Sequence, residues 1–287
     1  MSRTAIIGAS GTIGNALLGA CRNRYPDTIG TAFRQIRDDL ITFELGKQHP
    51  KDLPLNQPDY DSIVIAAGIT NIGYINTNPM ETSKINVSAT LELAEEMLCR
   101  GLHVIFLSSD NVFRGDSGGY HDKSETNPVS EYGIQKKQVE EALKKIDGKR
   151  TVIRLTKAVG LIRGDGTVID DIISQITKSE VVKAASDLVF NPTFVGDIVN
   201  GILKLKEEKI YGTVNFANPE IWNRYQLTLR LAELMYVNST KIREILFSDL
   251  NIAGGRPLNT TVKNSKCFAN MSFKSVEDCM QEIMAQW

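Results

Sequence analysis

The 287-residue chain is long enough for one large domain or for a domain with an appended lobe, and it needs no disulfide or metal ion to stabilise its core. Its 33 basic and 34 acidic side chains give a formal net charge of −1, which argues against a protein that binds nucleic acid or anionic membranes through a basic surface. The four cysteines and three histidines are scattered, and no apolar run approaches the ~20 residues of a membrane span, so we expect no metal site and a cytoplasmic protein.

Short apolar strands alternate with helical segments through the first half of the chain. The strands are predicted at 4–9, 27–34, 38–45, 61–68, 103–109 and 150–156. The helices between them are predicted at 12–25, 79–100 and 130–146. Strands separated by helices of this length form βαβ units, so the sequence predicts an α/β fold with a Rossmann-type, doubly wound parallel sheet.

The regular alternation of predicted strands and helices becomes less clear after Gly160. A glycine-rich loop and a helix follow, then a helix within 191–208, a strand at 211–218, and about seventy residues of helices and loops. No Pro/Gly/Ser-rich linker divides the chain, so the two parts should be interleaved. We expect residues 1–160 to form the cofactor-binding domain, with 189–217 returning to it, and residues 161–287 to form mainly a smaller substrate-binding lobe.

The segment GASGTIG, residues 8–14, lies between the first strand and the first helix. Glycines at this place allow a tight turn and a close approach of the backbone to a pyrophosphate, and the helix start offers unpaired N–H groups. A turn that merely packs the helix on the sheet would also use glycine, but the position at the start of the first βα unit favours a dinucleotide site. The candidate cofactor contacts in this turn are Gly8, Ser10, Gly11, Thr12, Ile13 and Gly14.

The end of the second strand should select the cofactor. An acidic residue there would accept a hydrogen bond from the 2′-hydroxyl of NAD, whereas the strand ends at Arg34 and no acid occurs before Asp38. A guanidinium favours a 2′-phosphate, to which Ser10 could also donate. We therefore expect NADP rather than NAD, with a solvated surface arginine as the alternative interpretation of Arg34.

The strand HVIFLSS ends in a polar cluster, and a tyrosine and a lysine follow in the next predicted helix. Tyr132 and Lys136 are four residues apart and share one helix face. Reduction of a carbonyl needs a proton donor and groups that polarise the oxygen. Tyr132 is the candidate proton donor, and Ser109 is the candidate group that polarises the oxygen. Lys136 is the candidate cation that lowers the pKa of the tyrosine and holds the nicotinamide ribose. The structural alternative is a half-buried helix tyrosine beside a surface lysine.

Several motifs resemble those of the extended short-chain dehydrogenase/reductase superfamily, and within it the dTDP-4-dehydrorhamnose reductase group. Besides GASGTIG and the YGIQK helix, they are VIAAGIT (64–70), INVSATLELAE with Asn86, FLSSDNVFRG in place of STDYVFDG, NPTFVGDI (191–198) and GGRPLNTTV (254–262). The resemblance implies that Ser109, Tyr132 and Lys136 form the catalytic triad. It also implies that Ala66, Ala67, Gly68, Tyr132 and Lys136 contact the cofactor, and that Ser109, Asp110, Asn111, Lys157 and Arg256 contact the substrate.

The chain departs from this group where the substrate should bind. Ser109 stands where the group usually has threonine, and Asn111 stands where it has tyrosine. Lys157 takes the place of a common tryptophan, and the segment TVI (167–169) takes the place of NFV. Lys157 would pair with a phosphate or carboxylate of the substrate, or it would be solvent-exposed.

The resemblance implies an NADP-dependent oxidoreductase of carbohydrate biosynthesis that reduces a keto group, or oxidises a hydroxyl, of a nucleotide-linked sugar. Two alternatives stay open. One is an epimerase or dehydratase that holds its cofactor tightly, and the other is a non-catalytic NADP-binding protein similar to the regulatory subunit of methionine adenosyltransferase. Members of the superfamily are often dimers, so the resemblance allows a homodimer, although no stretch of the sequence predicts an interface.

Overall fold

A parallel β-sheet forms the centre of the computed structural model, which describes residues 3–35, 37–55, 59–250 and 255–286. Its strands are β1 (Arg3–Ile7), β2 (Gly30–Ala32), β3 (Ile41–Thr42), β4 (Tyr60–Ile65), β5 (His103–Ser109), β6 (Arg150–Leu155) and, late in the chain, β11 (Gly212–Phe216). Their order in the sheet is β11-β6-β5-β4-β1-β2-β3, and all neighbours run parallel. All seven residues of β5 are buried, as expected for a strand covered on both faces.

Helices cover both faces of this sheet. The helices are α1 (Thr12–Arg22), α2 (Ile72–Thr77), α3 (Pro79–Ser83), α4 (Thr90–Cys99), α5 (Glu131–Leu143), α6 (Val168–Lys178), α7 (Val195–Glu207), α8 (Arg224–Leu234) and α9 (Val276–Met284). One apolar cluster joins the sheet to α1 and α7, and a second joins its other face to α4 and α5. The predicted α/β, doubly wound fold is therefore confirmed.

A smaller lobe is built mainly from the second half of the chain. It contains α6, α8 and α9 and short strands, which are β7 (Ala158–Val159), β8 (Val182–Ala185), β9 (Val189–Phe190), β10 (Thr193–Phe194), β12 (Trp222–Asn223) and β13 (Ile242–Ile245). These strands pair as β10–β7, β12–β9 and β13–β8. A third apolar cluster forms the core of this lobe. The assignment of residues 1–160, with 189–217, to a cofactor-binding domain and of residues 161–287 mainly to a substrate-binding lobe stays a prediction.

Some element boundaries differ from those expected. The strands predicted at 27–34 and 38–45 shrink to the three and two residues of β2 and β3, because only these residues pair and the polar residues after Ala32 are exposed. The helix predicted at 79–100 is interrupted between α3 and α4 by a π-helical segment, Lys84–Ala89. In the described part of the chain, we find no helix with the length and apolarity needed to cross a bilayer.

Candidate active site

A cleft of about 550 Å³ opens beyond the carboxyl ends of the central strands, where ligands bind in open α/β sheets. The glycine turn and the residues that follow β4 form one wall. The ends of β5 and β6 and the start of α5 form the floor, and segments of the smaller lobe form the opposite wall. The site is therefore assembled from both parts of the chain.

Close backbone packing explains the glycines of the first wall. Gly8 has φ +89°, and a Cβ on it would lie 2.6 Å from the backbone nitrogen of Ala67. A Cβ on Gly14 would lie 2.2 Å from the carbonyl oxygen of Gly8. Helix α1 begins at Thr12 with no side-chain cap and no acidic residue in its first turn, so its first N–H groups have no intrahelical partner. This arrangement fits an anionic group such as a pyrophosphate.

The structure brings most of the predicted cofactor contacts to the cleft. Its lining includes Gly11, Thr12, Ile13, Gly14, Ala66 and Gly68. Gly8 and Ala67 lie behind this surface, where they pack against each other, and Ser10 is half-buried outside the lining. Arg34 is exposed just after β2 and does not line the cleft. Its role in cofactor selection stays a prediction.

The polar end of β5 forms part of the cleft floor. Ser109, Asp110 and Asn111 are all buried, and Asp110 starts a short 3₁₀ turn that ends at Val112. The Ser109 hydroxyl donates to Oδ1 of Asp110 at 3.0 Å, and the Asn111 amide donates to the same oxygen at 2.8 Å. Oδ2 of Asp110 is buried, and no residue that the structure describes forms a hydrogen bond with it. One carboxylate oxygen is therefore used to hold the turn, and the other is unpaired.

Tyr132 and Lys136 approach this strand end on helix α5. The Ser130 hydroxyl caps the helix by accepting from the backbone N–H of Gly133 at 3.2 Å. A Cβ on Gly133 would lie 2.1 Å from the carbonyl oxygen of Asn111, so only glycine allows the helix to pack this closely against the end of β5. The packing places Tyr132, Lys136 and Ser109 on one cleft surface.

The Lys136 side chain is directed under the tyrosine. Its Nζ donates to the carbonyl oxygen of Leu107 at 2.8 Å and lies 4.5 Å from the centre of the Phe106 ring and 5.7 Å from that of Tyr132. Burial lowers the pKa of Lys136 to about 8, and the nearby Glu140 carboxylate opposes this effect. An ammonium has three donors, so two are left for other acceptors.

The pKa of Tyr132 is shifted in the direction opposite to the one expected from its lysine neighbour. Burial is the main cause that raises this pKa, the negative charge of Asp110 raises it further, and hydrogen bonding with Ser109 lowers it. The expectation that Lys136 lowers the pKa was wrong for this arrangement, because the ammonium donates to a backbone carbonyl rather than to the phenol. Tyr132 is therefore a protonated phenol at neutral pH.

A buried ion pair supports the floor from beneath. Arg154 and Glu140 are 2% and 1% exposed, and NH2 of Arg154 lies 2.6 Å from Oε2 of Glu140. Ser108 donates to the other carboxylate oxygen at 2.6 Å. Arg154 also donates to the carbonyl oxygen of Asp122 at 3.1 Å. This network ties α5 to the ends of β5 and β6.

A second buried network connects α5 to the first wall. The amide of Asn86, in the π-helical segment, donates to Oε1 of Gln135 at 2.8 Å and to the carbonyl oxygen of Ile69 at 2.9 Å. It also accepts from the backbone N–H of Ile69 at 2.8 Å. Gln135 in turn donates to the Thr82 hydroxyl at 2.9 Å. The loop after β4 and helix α5 therefore share one set of hydrogen bonds.

The opposite wall carries several charged side chains. Lys157 and Arg256 are half-buried in it, as is Arg224, which pairs with Asp171 at 2.6 Å. Lys157 is thus part of the cleft and not a solvent-exposed lysine. Among the described residues, no group of three histidines, cysteines or acids has the geometry to hold a metal ion.

Comparison with known proteins identifies the family. A family model described as the RmlD substrate binding domain matches residues 2–285. The chain belongs to this family. The expected resemblance to the extended short-chain dehydrogenase/reductases and to the dTDP-4-dehydrorhamnose reductase group is thereby confirmed.

Individual relatives of this chain are distant. The probable low-salt glycan biosynthesis reductase of Haloferax volcanii is 23% identical over 295 residues, which cover 98% of this chain and 96% of that protein. Methionine adenosyltransferase 2 subunit beta of Mus musculus is 26% identical over 273 residues, which cover 92% of this chain and 81% of that protein. The crystal structure of a dTDP-4-dehydrorhamnose reductase from Bacillus anthracis in complex with NADP superimposes with a TM-score of 0.84 at 20% identity and covers 100% of both chains.

Sequence reasoning missed three residues of this RmlD-type site. Gly133 carries a local signal, since it directly follows Tyr132, but its need for close contact with Asn111 is visible only in the structure. Gln135 had no distinguishing pattern, because its partners lie in the earlier helical segments. Arg224 reaches the cleft wall from the start of α8, far along the chain, and no motif marked it.

Proposed function

We propose that the protein is an NADP-dependent reductase that acts on a keto group of a nucleotide-linked sugar. The observation that supports this most is the convergence of Ser109, Tyr132 and Lys136 on one cleft surface, between a glycine turn suited to pyrophosphate and a wall with cationic side chains. The proposal includes a cytoplasmic location and leaves a homodimer as an open prediction.

The chain's own residues supply three functions around the reacting carbonyl. When bound, the reduced nicotinamide supplies a hydride to the keto carbon. The single proton of the Ser109 hydroxyl, which is donated to Asp110 in this structure, can turn to the keto oxygen when substrate binds. The Tyr132 hydroxyl can deliver its proton to that oxygen as negative charge develops. Lys136 keeps two N–H donors beyond its bond to Leu107, and these suit the hydroxyls of the nicotinamide ribose. The glycine turn would hold the pyrophosphate.

The electrostatics of the floor keep Tyr132 in the protonated form that reduction requires. Burial and the Asp110 charge raise the pKa of Tyr132, so the residue is protonated and can act as an acid at neutral pH. In the reverse reaction, the phenolate needed to remove a proton would be disfavoured by the same causes.

The surroundings of β2 support NADP over NAD. Arg34 is exposed beyond the strand end. The nearby carboxylate of Asp39 is held by Arg22 at 2.5 Å and by Arg37 at 2.8 Å, and these hydrogen bonds lower its pKa to about 2. A carboxylate engaged in this way is poorly placed to accept from the 2′-hydroxyl of NAD. The Bacillus anthracis structure is itself a complex with NADP.

The test is consumption of NADPH with a panel of 4-keto sugar nucleotides. We expect turnover with at least one of them, and a loss of roughly 10²–10⁴-fold in Tyr132→Phe with NADPH binding retained. Tyr236→Phe is the matched control, because this tyrosine is 98% exposed. Turnover by Tyr132→Phe at the wild-type rate would contradict the mechanism.

The same assay addresses a non-catalytic role, which the similarity to methionine adenosyltransferase 2 subunit beta favours. NADPH binding without turnover of any sugar nucleotide would support that alternative. Retention of a nicotinamide cofactor through purification, without net consumption of NADPH, would instead support an epimerase or dehydratase.

A further inference from the structure

Two cations in the cleft wall lack an anionic or hydrogen-bonding partner among the residues that the structure describes. Arg224 pairs with Asp171, but neither the Lys157 ammonium nor the Arg256 guanidinium makes a hydrogen bond or ion pair with any described residue. Arg256 is placed over the ring of Phe247 at 5.7 Å. Half-buried charges of one sign without counter-ions are costly, so this pair indicates a binding place for an anion.

The strand register places Lys157 near the reacting centre. Ser109 of β5 is paired with Leu155 of β6, and Lys157 follows Leu155 by two residues at the same sheet edge. Neighbouring strands are ~4.8 Å apart, so this register places the Lys157 backbone at the cleft edge near Ser109, which the proposed function assigns to the keto end of the substrate. A diphosphate is joined to the anomeric carbon, across the sugar ring from a keto group at C4. Lys157 is therefore better placed for a charge on the sugar than for the diphosphate.

An unpaired carboxylate oxygen gives an independent indication of a ligand. Asp110 is 2% exposed, lines the cleft, and leaves Oδ2 without a partner. A buried acceptor of this kind needs a donor, and a sugar hydroxyl would supply it. Burial is the main cause that lowers the pKa of both Lys157 and Arg256. The charge of Arg256 lowers the pKa of Lys157 further, and the charge of Arg224 does the same for Arg256, whereas the Asp110 carboxylate opposes both shifts.

We propose that Lys157 and Arg256 bind a carboxylate on the sugar, and that the substrate is a nucleotide-linked keto sugar acid. Asp110 then accepts from a hydroxyl of the same ring, which fixes the orientation of the keto group toward Ser109 and Tyr132. This inference rests on the proposed function and names the substrate class of that site.

The experiment is isothermal titration calorimetry of the full chain, saturated with NADP⁺. The probes are glucose and glucuronic acid, each linked to UDP and to dTDP, together with free UDP and dTDP. We expect the wild type to bind one glucuronic acid conjugate about tenfold more tightly than the matching glucose conjugate, as a charge-assisted contact would give. In Lys157→Met, which keeps the length of the side chain without its charge, this ratio should fall to about one. Lys183→Met, at an exposed position of β8 outside the cleft lining, should keep the ratio of the wild type.

Four other outcomes would overturn the inference. Equal affinity of the wild type for both conjugates, or an unchanged ratio in Lys157→Met, would remove the sugar carboxylate and leave the proposed function intact. An equal loss of affinity for free UDP or dTDP would assign Lys157 to the diphosphate instead. If the wild type bound NADP⁺ but none of the sugar nucleotides, the proposed function itself would fail.

Discussion

The two walls of the cleft are built on different principles. The wall formed by the glycine turn is called the cofactor wall below, because we propose that it binds the cofactor. It presents main-chain atoms to the cleft, with glycines at positions where a single Cβ would meet another main-chain atom. The opposite wall, called the substrate wall below because we propose that it binds the substrate, carries charged side chains from the segment after β6, from α8 and from the segment after residue 254. A site made of backbone tolerates almost no substitution at its glycines, whereas a site made of side chains can change its ligand by exchanging one residue. This difference agrees with the resemblance noted in the sequence, in which the glycine turn matches the family motif and Lys157 departs from it.

The largest expected effect on cofactor affinity comes from adding a side chain to the glycine turn of the cofactor wall. In Gly14→Ala, the new Cβ would lie 2.2 Å from the Gly8 carbonyl oxygen, so the turn must move. We expect NADPH affinity to fall by about 100-fold or more, measured by fluorescence titration. Gly19→Ala in the same helix meets no atom within 4 Å and should be stabilised by about 0.5–1 kcal/mol without a change in affinity. Unchanged NADPH binding in Gly14→Ala would show that the turn does not hold the cofactor.

The buried ion pair beneath the cleft floor gives an effect of comparable size, on stability rather than on cofactor binding. Glu140→Gln leaves Arg154 buried without its counter-ion, so we expect a loss of about 3–5 kcal/mol in the free energy of unfolding. Thermal or urea unfolding would measure it. Glu141→Gln is the matched control, since its 3.6 Å pair with Lys137 is partly exposed and should contribute no more than about 1 kcal/mol. Similar losses in the two variants would argue against a supporting role for the buried pair.

A smaller effect is expected on the preference for NADPH over NADH, from a change at Arg34 beyond the end of β2. Arg34→Gln should weaken NADPH binding by about tenfold, because one charge-assisted hydrogen bond to the 2′-phosphate is lost, and should leave NADH binding unchanged. Arg37→Gln is the control, because Arg37 is already engaged by Asp39 and Asn15. A parallel change for both cofactors in Arg34→Gln would mean that this residue does not contact the 2′-phosphate.

The smallest expected effect is a pH dependence set by the floor. The pKa of Lys136 is lowered to about 8, so its ammonium is present below this pH and is lost as the pH rises through it. The turnover rate with NADPH should therefore be constant near neutrality and decline several-fold with a midpoint near pH 8. Ionisation of Tyr132 should not add a second decline to the rate in this pH range, because the pKa of Tyr132 is raised. A rate that stays flat up to pH 10 would contradict the assigned role of Lys136.

The sequence predicted the fold and the cofactor wall better than the substrate wall, for physical reasons. A glycine turn between a strand and a helix is a local constraint, and the polar end of β5 is also visible in one short stretch. The π-helical segment at Asn86 could not be foreseen, because it depends on partners at Ile69 and Gln135. The grouping of Lys157, Arg224 and Arg256 likewise depends on how the smaller lobe folds over the sheet.

The position of β11 has a consequence for synthesis and truncation of the chain. This strand covers the outer edge of β6, yet it lies about sixty residues after it in the sequence. A nascent chain that has left the ribosome only as far as residue 160 has an unpaired edge on β6, and such edges promote association with other strands. A fragment cut at that point should therefore aggregate, whereas one extended through residue 217 would carry its own protective strand.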